Sequence, residues 1–439
     1  MQLNKKVVYR KINNYCLILN CCTEDKFLFN ETSYDIIKTI DENNVIEFDD
    51  LLNILLQTYD VDDVNSFKND IQEFVDYLIE QNIIIKNYTS ENNNEFSELN
   101  VQNYLGHVYF ELTHNCNFKC SHCYLLNENK YLNEELKFED YKIILEKLKK
   151  MGVLEVTFTG GEITVKKDFL KIIEYANELG FAIHLYSNGY LFDDELIYKL
   201  SKMNIISYSS SLYGSNAEVH ESISLKPGSF QKTLDTLIKF KCLGIKTIVK
   251  TIIMKPTEHD FENLLKLIKM YNFNLETSLQ YLVANENDNR GSIYRVNDTE
   301  KYKKYLKLQI EYLDIKIEEK KCRGNYICGL GKTLNIDPYG NIFPCNVLLT
   351  KLGNIKFDDI EEIWNNSKKL KTLQQINKMN LSVKCQNCEN FEFCLFCPGA
   401  NKRENGDIKK YTCESCNIAE AKKSIYEIYM KGGECNEKI

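Results

Sequence analysis

Cys116, Cys120 and Cys123 stand in a C-x3-C-x2-C spacing. Three thiolates on one loop can ligate three irons of a cubane cluster and leave the fourth iron open to another ligand. A zinc site would want a fourth protein ligand, which His114 or His122 could supply. A second array follows downstream: Cys322, Cys328 and Cys345, then Cys385-x2-Cys388-x5-Cys394-x2-Cys397, then Cys413-x2-Cys416. The first residues, Met1 to Arg10, are polar and lack the apolar run of a signal peptide. Clustered thiols in such a chain point to metal binding in a reducing compartment rather than to disulfides. Cys16, Cys21, Cys22, Cys242 and Cys435 stand outside the arrays and read as small, half-buried apolar residues. Between the arrays lies Thr159-Gly160-Gly161-Glu162, where glycine permits close backbone approach and an acceptor can hold an ammonium. Polar groups gather again at Ser187-Asn188-Gly189 and Ser209-Ser210-Ser211, and Lys250 offers a cation.

These groups need elements to hold them. Apolar runs predict strands at Val108–Leu112, Leu154–Phe158, Ala182–Tyr186, Ile205–Leu212, Thr247–Ile253 and Leu275–Leu282, with amphipathic helices between them. Six βα units in a row imply a parallel sheet covered by helices, an α/β fold of the full or partial barrel type. The Cys116 loop and the Gly-Gly-Glu turn then fall at the C-terminal ends of strands, where such folds place their chemistry. Ahead of this region, residues 1–86 read as three short strands, three helices and a terminal strand, a small winged-helix shape. Residues 87–103 are Asn/Ser-rich and read as a linker. The barrel is assigned to 104–310, a bridging region to 311–345 and a cysteine-rich domain to 346–439. From about Lys320 the regular alternation is expected to stop.

The formal net charge of −8 and the absence of a separate Lys/Arg run argue against a nucleic-acid partner. No apolar stretch approaches the length of a membrane span. Together with the polar N-terminus, this points to a cytoplasmic protein.

The C-x3-C-x2-C loop after the first barrel strand resembles the signature of radical S-adenosylmethionine (SAM) enzymes. The resemblance extends over most of the chain and implies a partial (β/α)6 barrel. It also implies a [4Fe–4S] cluster on Cys116, Cys120 and Cys123 whose open iron chelates the SAM methionine. One-electron cleavage of SAM in that family gives a 5′-deoxyadenosyl radical that abstracts a substrate hydrogen. By the same resemblance, His122 contacts the adenine through its backbone, and Gly160, Gly161 and Glu162 form the family's GGE motif for the ammonium. Ser187 and Asn188 match the ribose-side segment, Ser211 a ribose or carboxylate contact, and Lys250 a partner for the methionine carboxylate. The stretch from His220 to Ser224 lacks the arginine that some relatives place there.

The downstream array resembles a SPASM domain, which carries two auxiliary [4Fe–4S] clusters. Family order assigns Cys322, Cys328, Cys345 and Cys397 to the first. It assigns Cys385, Cys388, Cys394 and one of Cys413 or Cys416 to the second. The last gap of the central run is two residues here, where three is usual. Trp364 matches the family as a core residue. Residues 1–86 resemble a RiPP recognition element, a winged-helix domain that binds leader peptides along a free strand edge. That edge is expected at Lys26–Phe29, beside the helix Val64–Gln81. Acidic runs in this unit disfavour DNA.

Together the resemblances imply an oxidoreductase that crosslinks a ribosomally made precursor peptide, fed by an electron donor such as flavodoxin or ferredoxin. With four cysteines for each auxiliary cluster, no iron stays open for a substrate thiolate. A carbon–carbon bond of the Lys–Trp type is therefore favoured over a thioether. Glu318 and Glu319 are the nearest candidates for a base. The reading from another class is a zinc-binding winged-helix regulator.

Overall fold

The computed structural model describes residues 1–21, 23–85, 104–125, 134–317, 328 and 330–429. Cys22, the 87–103 linker, Glu318, Glu319, Cys322 and Cys435 lie outside the described residues.

The N-terminal unit opens with β1 (Gln2–Leu3), β2 (Val7–Ile12), β3 (Tyr15–Asn20) and β4 (Lys26–Asn30). Helices α1 (Glu31–Glu42), α2 (Phe48–Thr58) and α3 (Val64–Glu80) follow, then β5 (Ile84–Ile85). Asn30 caps α1 by accepting from the Ser33 N–H, and Asp63 caps α3 by accepting from the Asn65 and Ser66 N–H groups. The antiparallel order is β2-β3-β4, and β1 pairs with β5. Strand β1 was not legible as a strand, because two residues carry no periodicity. One face of this sheet, with Cys16, Ile18 and Phe27, packs on α1, α2 and α3. The other, with Val8, Leu17, Leu19 and Cys21, packs on Leu154, Ala182 and Ile206. Strand β3 is thus buried on both faces, which accounts for its unbroken apolar run.

The second unit alternates β6 (His107–Glu111), α4 (Phe138–Lys150), β7 (Glu155–Thr159), α5 (Phe169–Glu178), β8 (Ala182–Tyr186), α6 (Asp194–Ser201) and β9 (Ile205–Ser211). It continues through α7 (Ala217–Ser224), α8 (Ser229–Cys242), β10 (Lys246–Ile252), α9 (Phe261–Tyr271) and β11 (Asn274–Ser278). All six strands run parallel in the order β11-β10-β9-β8-β7-β6. Strand β11 ends four residues earlier than the apolar pattern suggests, because Leu279–Leu282 leaves the sheet. Cys242 is exposed at the end of α8, not half-buried. Phe240, two residues earlier, already takes the core-facing side of that helix.

After α10 (Gly291–Tyr294) and α11 (Thr299–Leu313) the regular βα alternation stops. Three short strands that the sequence did not show then extend the sheet. Strand β12 (Thr333–Ile336) pairs parallel to β6, and β13 (Asn341–Phe343) and β14 (Gly353–Asn354) add antiparallel, giving a nine-stranded sheet. These strands are too short for their periodicity to register. Helices α12 (Ile360–Asn366), α13 (Lys368–Gln374), α14 (Val383–Gln386), α15 (Pro398–Asn405) and α16 (Cys413–Tyr429) complete the chain, with Trp364 buried in the main core.

Candidate functional site

The loop after β6 carries Cys116, Cys120 and Cys123. Its floor is set by a buried triad, in which the Glu111 carboxylate meets the His114 Nε2 at 2.8 Å and accepts from the Asn335 amide at 2.9 Å. The cysteine loop is thereby tied to β12. The Cys120 thiol is pushed up to about 12, first by burial and then by the neighbouring Cys123 and Cys116 sulfurs. That destabilisation marks a site that wants positive charge, as a ferric or ferrous centre supplies. Among the described residues no three His, Cys, Asp or Glu side chains converge on a single-ion position. The three thiols are close enough for Cys116 and Cys123 to act on Cys120. The donor set fits a [4Fe–4S] cluster.

The turn after β7 presses against this loop. Gly160 has φ +144°, and a Cβ there would stand 2.4 Å from the Thr113 carbonyl oxygen. A Cβ on Gly161 would stand 2.3 Å from the Asn115 carbonyl oxygen. The Gly161 N–H donates to Thr113 O at 2.7 Å and the Glu162 N–H to Asn115 O at 2.9 Å. Glu162 itself is buried. Its carboxylate accepts from the Thr164 N–H and hydroxyl, the Ser187 hydroxyl and the Asn188 N–H. Four donors of the chain fill most of its acceptor capacity. Glu162 therefore welds the end of β7 to the end of β8.

Ser187 and Asn188 are brought to the same place. The Asn188 side-chain amide donates to Asn117 Oδ1 at 2.7 Å and lies 3.9 Å from the Cys116 sulfur. Ser211 ends β9 next to Tyr213, whose ring packs on His122 and His220. Burial holds His122 down to about 4, with Arg290 adding to the effect, so its ring is neutral at pH 7. Its Nδ1 is buried without a partner. Lys250 pairs across strands with Glu276, and its ammonium sits 4.2 Å above the Tyr186 ring. The structure thus gives this lysine a partner within the chain.

The downstream cysteines assemble as two groups. Cys345 is pushed up to about 11, first by burial and further by the nearby Cys397 and Cys328. Cys416 is raised by burial and feels Cys385, Cys388 and Cys413. Cys385, Cys388 and Cys394 share one small core with Cys328 and Cys345.

Several residues at the site gave no motif. Tyr281 donates its hydroxyl to His122 O at 3.3 Å, and Arg290 Nη1 donates to Cys123 O at 2.9 Å. Arg403 donates to Val347 O at 2.8 Å and Ala284 O at 3.1 Å. One signal was available. Of 55 basic residues only five are arginine. In so lysine-rich a chain, a retained arginine marks a place that needs its planar fork.

Comparison with known families and structures agrees with this geometry. Residues 110–268 match the Radical SAM superfamily, 328–389 the SPASM iron–sulfur cluster-binding domain, and 18–84 the coenzyme PQQ synthesis protein D (PqqD) family. The chain is 28% identical over 326 residues to the antilisterial bacteriocin subtilosin biosynthesis protein AlbA of Bacillus subtilis (strain 168), covering 71% of each chain. It is 26% identical over 282 residues to the PqqA peptide cyclase of Rhodopseudomonas palustris, covering 59% of this chain and 73% of that one. Its fold resembles that of Streptococcus suis SuiB, solved bound to the precursor peptide SuiA. The TM-score is 0.61 at 16% identity, over 93% of this chain and 98% of that chain.

Proposed function

Because this chain is a radical SAM enzyme that carries a SPASM domain and a PqqD-type RiPP recognition element, we propose that it matures a ribosomally made precursor peptide by an intramolecular side-chain crosslink. The observation that carries this reading is the outer edge of β4, which among the described residues pairs with no strand beyond β3. Phe29 on that strand meets Phe74 and Tyr77 of α3 edge-on, with ring centroids 5.1 and 5.9 Å apart. A strand edge beside an aromatic cradle suits an extended leader peptide, whose backbone pairs with the edge while its apolar side chains enter the cradle. Lys26 at the start of β4 pairs with Glu155 at the start of β7, so the docking strand is joined directly to the barrel. The relatives named for subtilosin biosynthesis and for PqqA cyclisation support a peptide substrate.

In this reading Cys116, Cys120 and Cys123 hold the SAM-cleaving cluster. Cys322, Cys328, Cys345 and Cys397 hold the first auxiliary cluster; Cys385, Cys388 and Cys394, with Cys413 or Cys416, hold the second. Bound SAM and a reduced cluster supply a carbon-centred radical that takes hydrogen from the substrate. The chain's own residues do the rest. The Gly160-Gly161 backbone, clamped to Thr113 and Asn115, shapes the floor for the methionine end. Asn188 and Ser211 would face the ribose, and His122, whose uncharged ring packs on Tyr213, would meet the adenine through its backbone. Lys250 can reach a carboxylate only by leaving Glu276.

Crosslinking two side chains removes two hydrogens, so one electron and one proton beyond the hydrogen abstraction must leave, and an auxiliary cluster would accept the electron. The bond is proposed as carbon–carbon, of the Lys–Trp type, because four cysteines per auxiliary cluster leave no iron for a substrate thiolate. Flavodoxin or ferredoxin would serve as donor. Anaerobic enzyme with SAM, reductant and the precursor encoded beside it should give 5′-deoxyadenosine and a peptide lighter by two hydrogens. A C–C bond located by fragmentation supports the whole reading. A thioether overturns the bond type alone, and an unmodified peptide with intact SAM cleavage overturns the proposed substrate.

A further inference from the structure

Between β11 and α11 runs a strap, Leu279 to Arg295, which touches all three cysteine sites. At the Cys116 loop, Tyr281 donates to His122 O, and Arg290 Nη1 donates to Ser121 O at 3.4 Å and Cys123 O at 2.9 Å. At the Cys345 site, Ala284 O accepts from Arg403, whose guanidinium also grips Val347 O and lies 5.1 Å from the Tyr124 ring centroid. At the Cys413–Cys416 turn, the Tyr281 N–H donates to Glu414 Oε2 at 3.1 Å and the Gln280 amide to Ser415 Oγ at 3.0 Å.

Arg290 is held in place with care. Its Nε and Nη2 donate to the two oxygens of Asp288, both at 2.8 Å. Asp288 also accepts from the Ala284 and Arg290 N–H groups and is almost wholly buried. The fork therefore cannot swing away. Its third nitrogen, Nη1, points at backbone carbonyls flanking the last cysteine of the loop. A bidentate pair is a fixed dipole, and its positive end faces Cys123.

We infer that Arg290 is a positioning residue for the SAM-cleaving site and that the Arg290–Asp288 dipole sets the electrostatic environment of the group held by Cys116, Cys120 and Cys123. This rests on the assignment of those three cysteines made above. Adding an electron to a cluster makes it more negative, and a cationic end nearby favours the reduced form. The two halves of the dipole must then act with opposite sign. Removing the arginine leaves Asp288 uncompensated and lowers the reduction potential. Neutralising the aspartate leaves the arginine uncompensated and raises it. A purely structural clamp has no such sign.

The test is an anaerobic redox titration of the full, cluster-loaded enzyme, followed by electron paramagnetic resonance. The signal that shifts on adding SAM identifies the cluster with the open iron. The proposal expects Arg290→Ala to move that cluster's potential down and Asp288→Asn to move it up, while the auxiliary signals stay put. Arg290→Lys should restore the potential but weaken SAM binding by about ten-fold, through loss of the fork. Shifts of the same direction in both variants, or none in either, would overturn it. If Arg290→Ala loses iron, Asp288→Asn and Arg290→Lys still decide the sign. Failure of the cysteine assignment shows separately, as full iron retained in a Cys116, Cys120, Cys123 to Ala variant.

Discussion

The two ends of the barrel are closed in different ways. At the N-terminal ends of the strands the PqqD-type domain lays one face of its sheet on Leu154, Ala182 and Ile206, an apolar seam with charges around it. Arg10 donates to Leu179 O and Gly180 O and stacks on Phe181, while Lys26 and Lys246 reach Glu155 and Glu24. At the C-terminal ends the cysteine loop is fixed by hydrogen bonds to backbone carbonyls and by a strand, β12, shared with the SPASM region. Apolar burial is non-directional and tolerates small shifts, whereas fork-to-carbonyl contacts define positions. The end that carries the cysteine loop is thus built for geometry, and the end proposed to dock the leader is built as a docked module.

The largest test of this division removes the chemistry alone. A Cys116, Cys120, Cys123 to Ala variant should make no 5′-deoxyadenosine and lose about four of roughly twelve irons, one cubane of three. It should bind leader peptide with unchanged affinity, as measured by fluorescence anisotropy. Loss of leader binding would mean that the two ends are one cooperative unit.

Glu162→Gln comes next. A glutamine can accept from Thr164 and Ser187, but its NH2 would face the Asn188 N–H, donor against donor. The expected cost is about 2–3 kcal/mol, read as a lower melting temperature and weaker SAM binding with iron retained. An unchanged melting temperature would show that the weld between β7 and β8 is not needed.

Much of this was legible in the sequence, and the exceptions share a cause. Both cysteine arrays and the six parallel strands announce themselves by local spacing. The partner of Lys250 does not, since Glu276 reaches it only through the parallel register of β10 and β11. Arg290 and Tyr281 grip backbone carbonyls, which every residue has, so no motif can point to their targets. The filled carboxylate of Glu162 is invisible for the same reason: its donors are two main-chain N–H groups and two common hydroxyls. The apolar run of β3 was read as a strand, but its second buried face appears only once the barrel floor is in place.

At the docking end, Phe74→Ala should weaken leader binding about ten-fold, or about 1.4 kcal/mol, by opening the cradle under Phe29. Peptide-independent SAM cleavage should be unaffected. If cleavage falls as well, the two ends communicate through more than the substrate.

The finest distinction between the ends is their response to mild acid. The floor buries titratable groups: His107 meets the Thr157 hydroxyl at 2.7 Å and stacks on His184, which reaches Glu155 at 3.3 Å. Burial holds His107 down to about 4. For Glu155 burial acts upward, but His184, Lys26 and His107 outweigh it and hold the carboxyl down to about 2. Both shifts have one sign, because the folded form of each group binds fewer protons than the unfolded form. The stability they lend is present at neutral pH and is lost as pH falls, from about 6.5 to 4 through His107 and from about 4.5 to 2 through Glu155. At the floor, of these two groups, His107 is the one that acts between pH 7 and pH 6, at a cost below about 1 kcal/mol. Hydrogen exchange, corrected for its intrinsic pH dependence, should therefore quicken over that step at the start of β6 and in β2 to β4. The strap from Leu279 to Arg295 should quicken less. His122 beside it also loses stability over the step, but Glu414, pushed up to about 7 by burial and accepting from the Tyr281 N–H, takes up a proton in the folded form and offsets that loss. Asp288, held down to about 2 by Arg290, stays ionised. His107→Asn should flatten the response at the floor. Equal quickening at both ends would dissolve the contrast between a docked module and a fixed site.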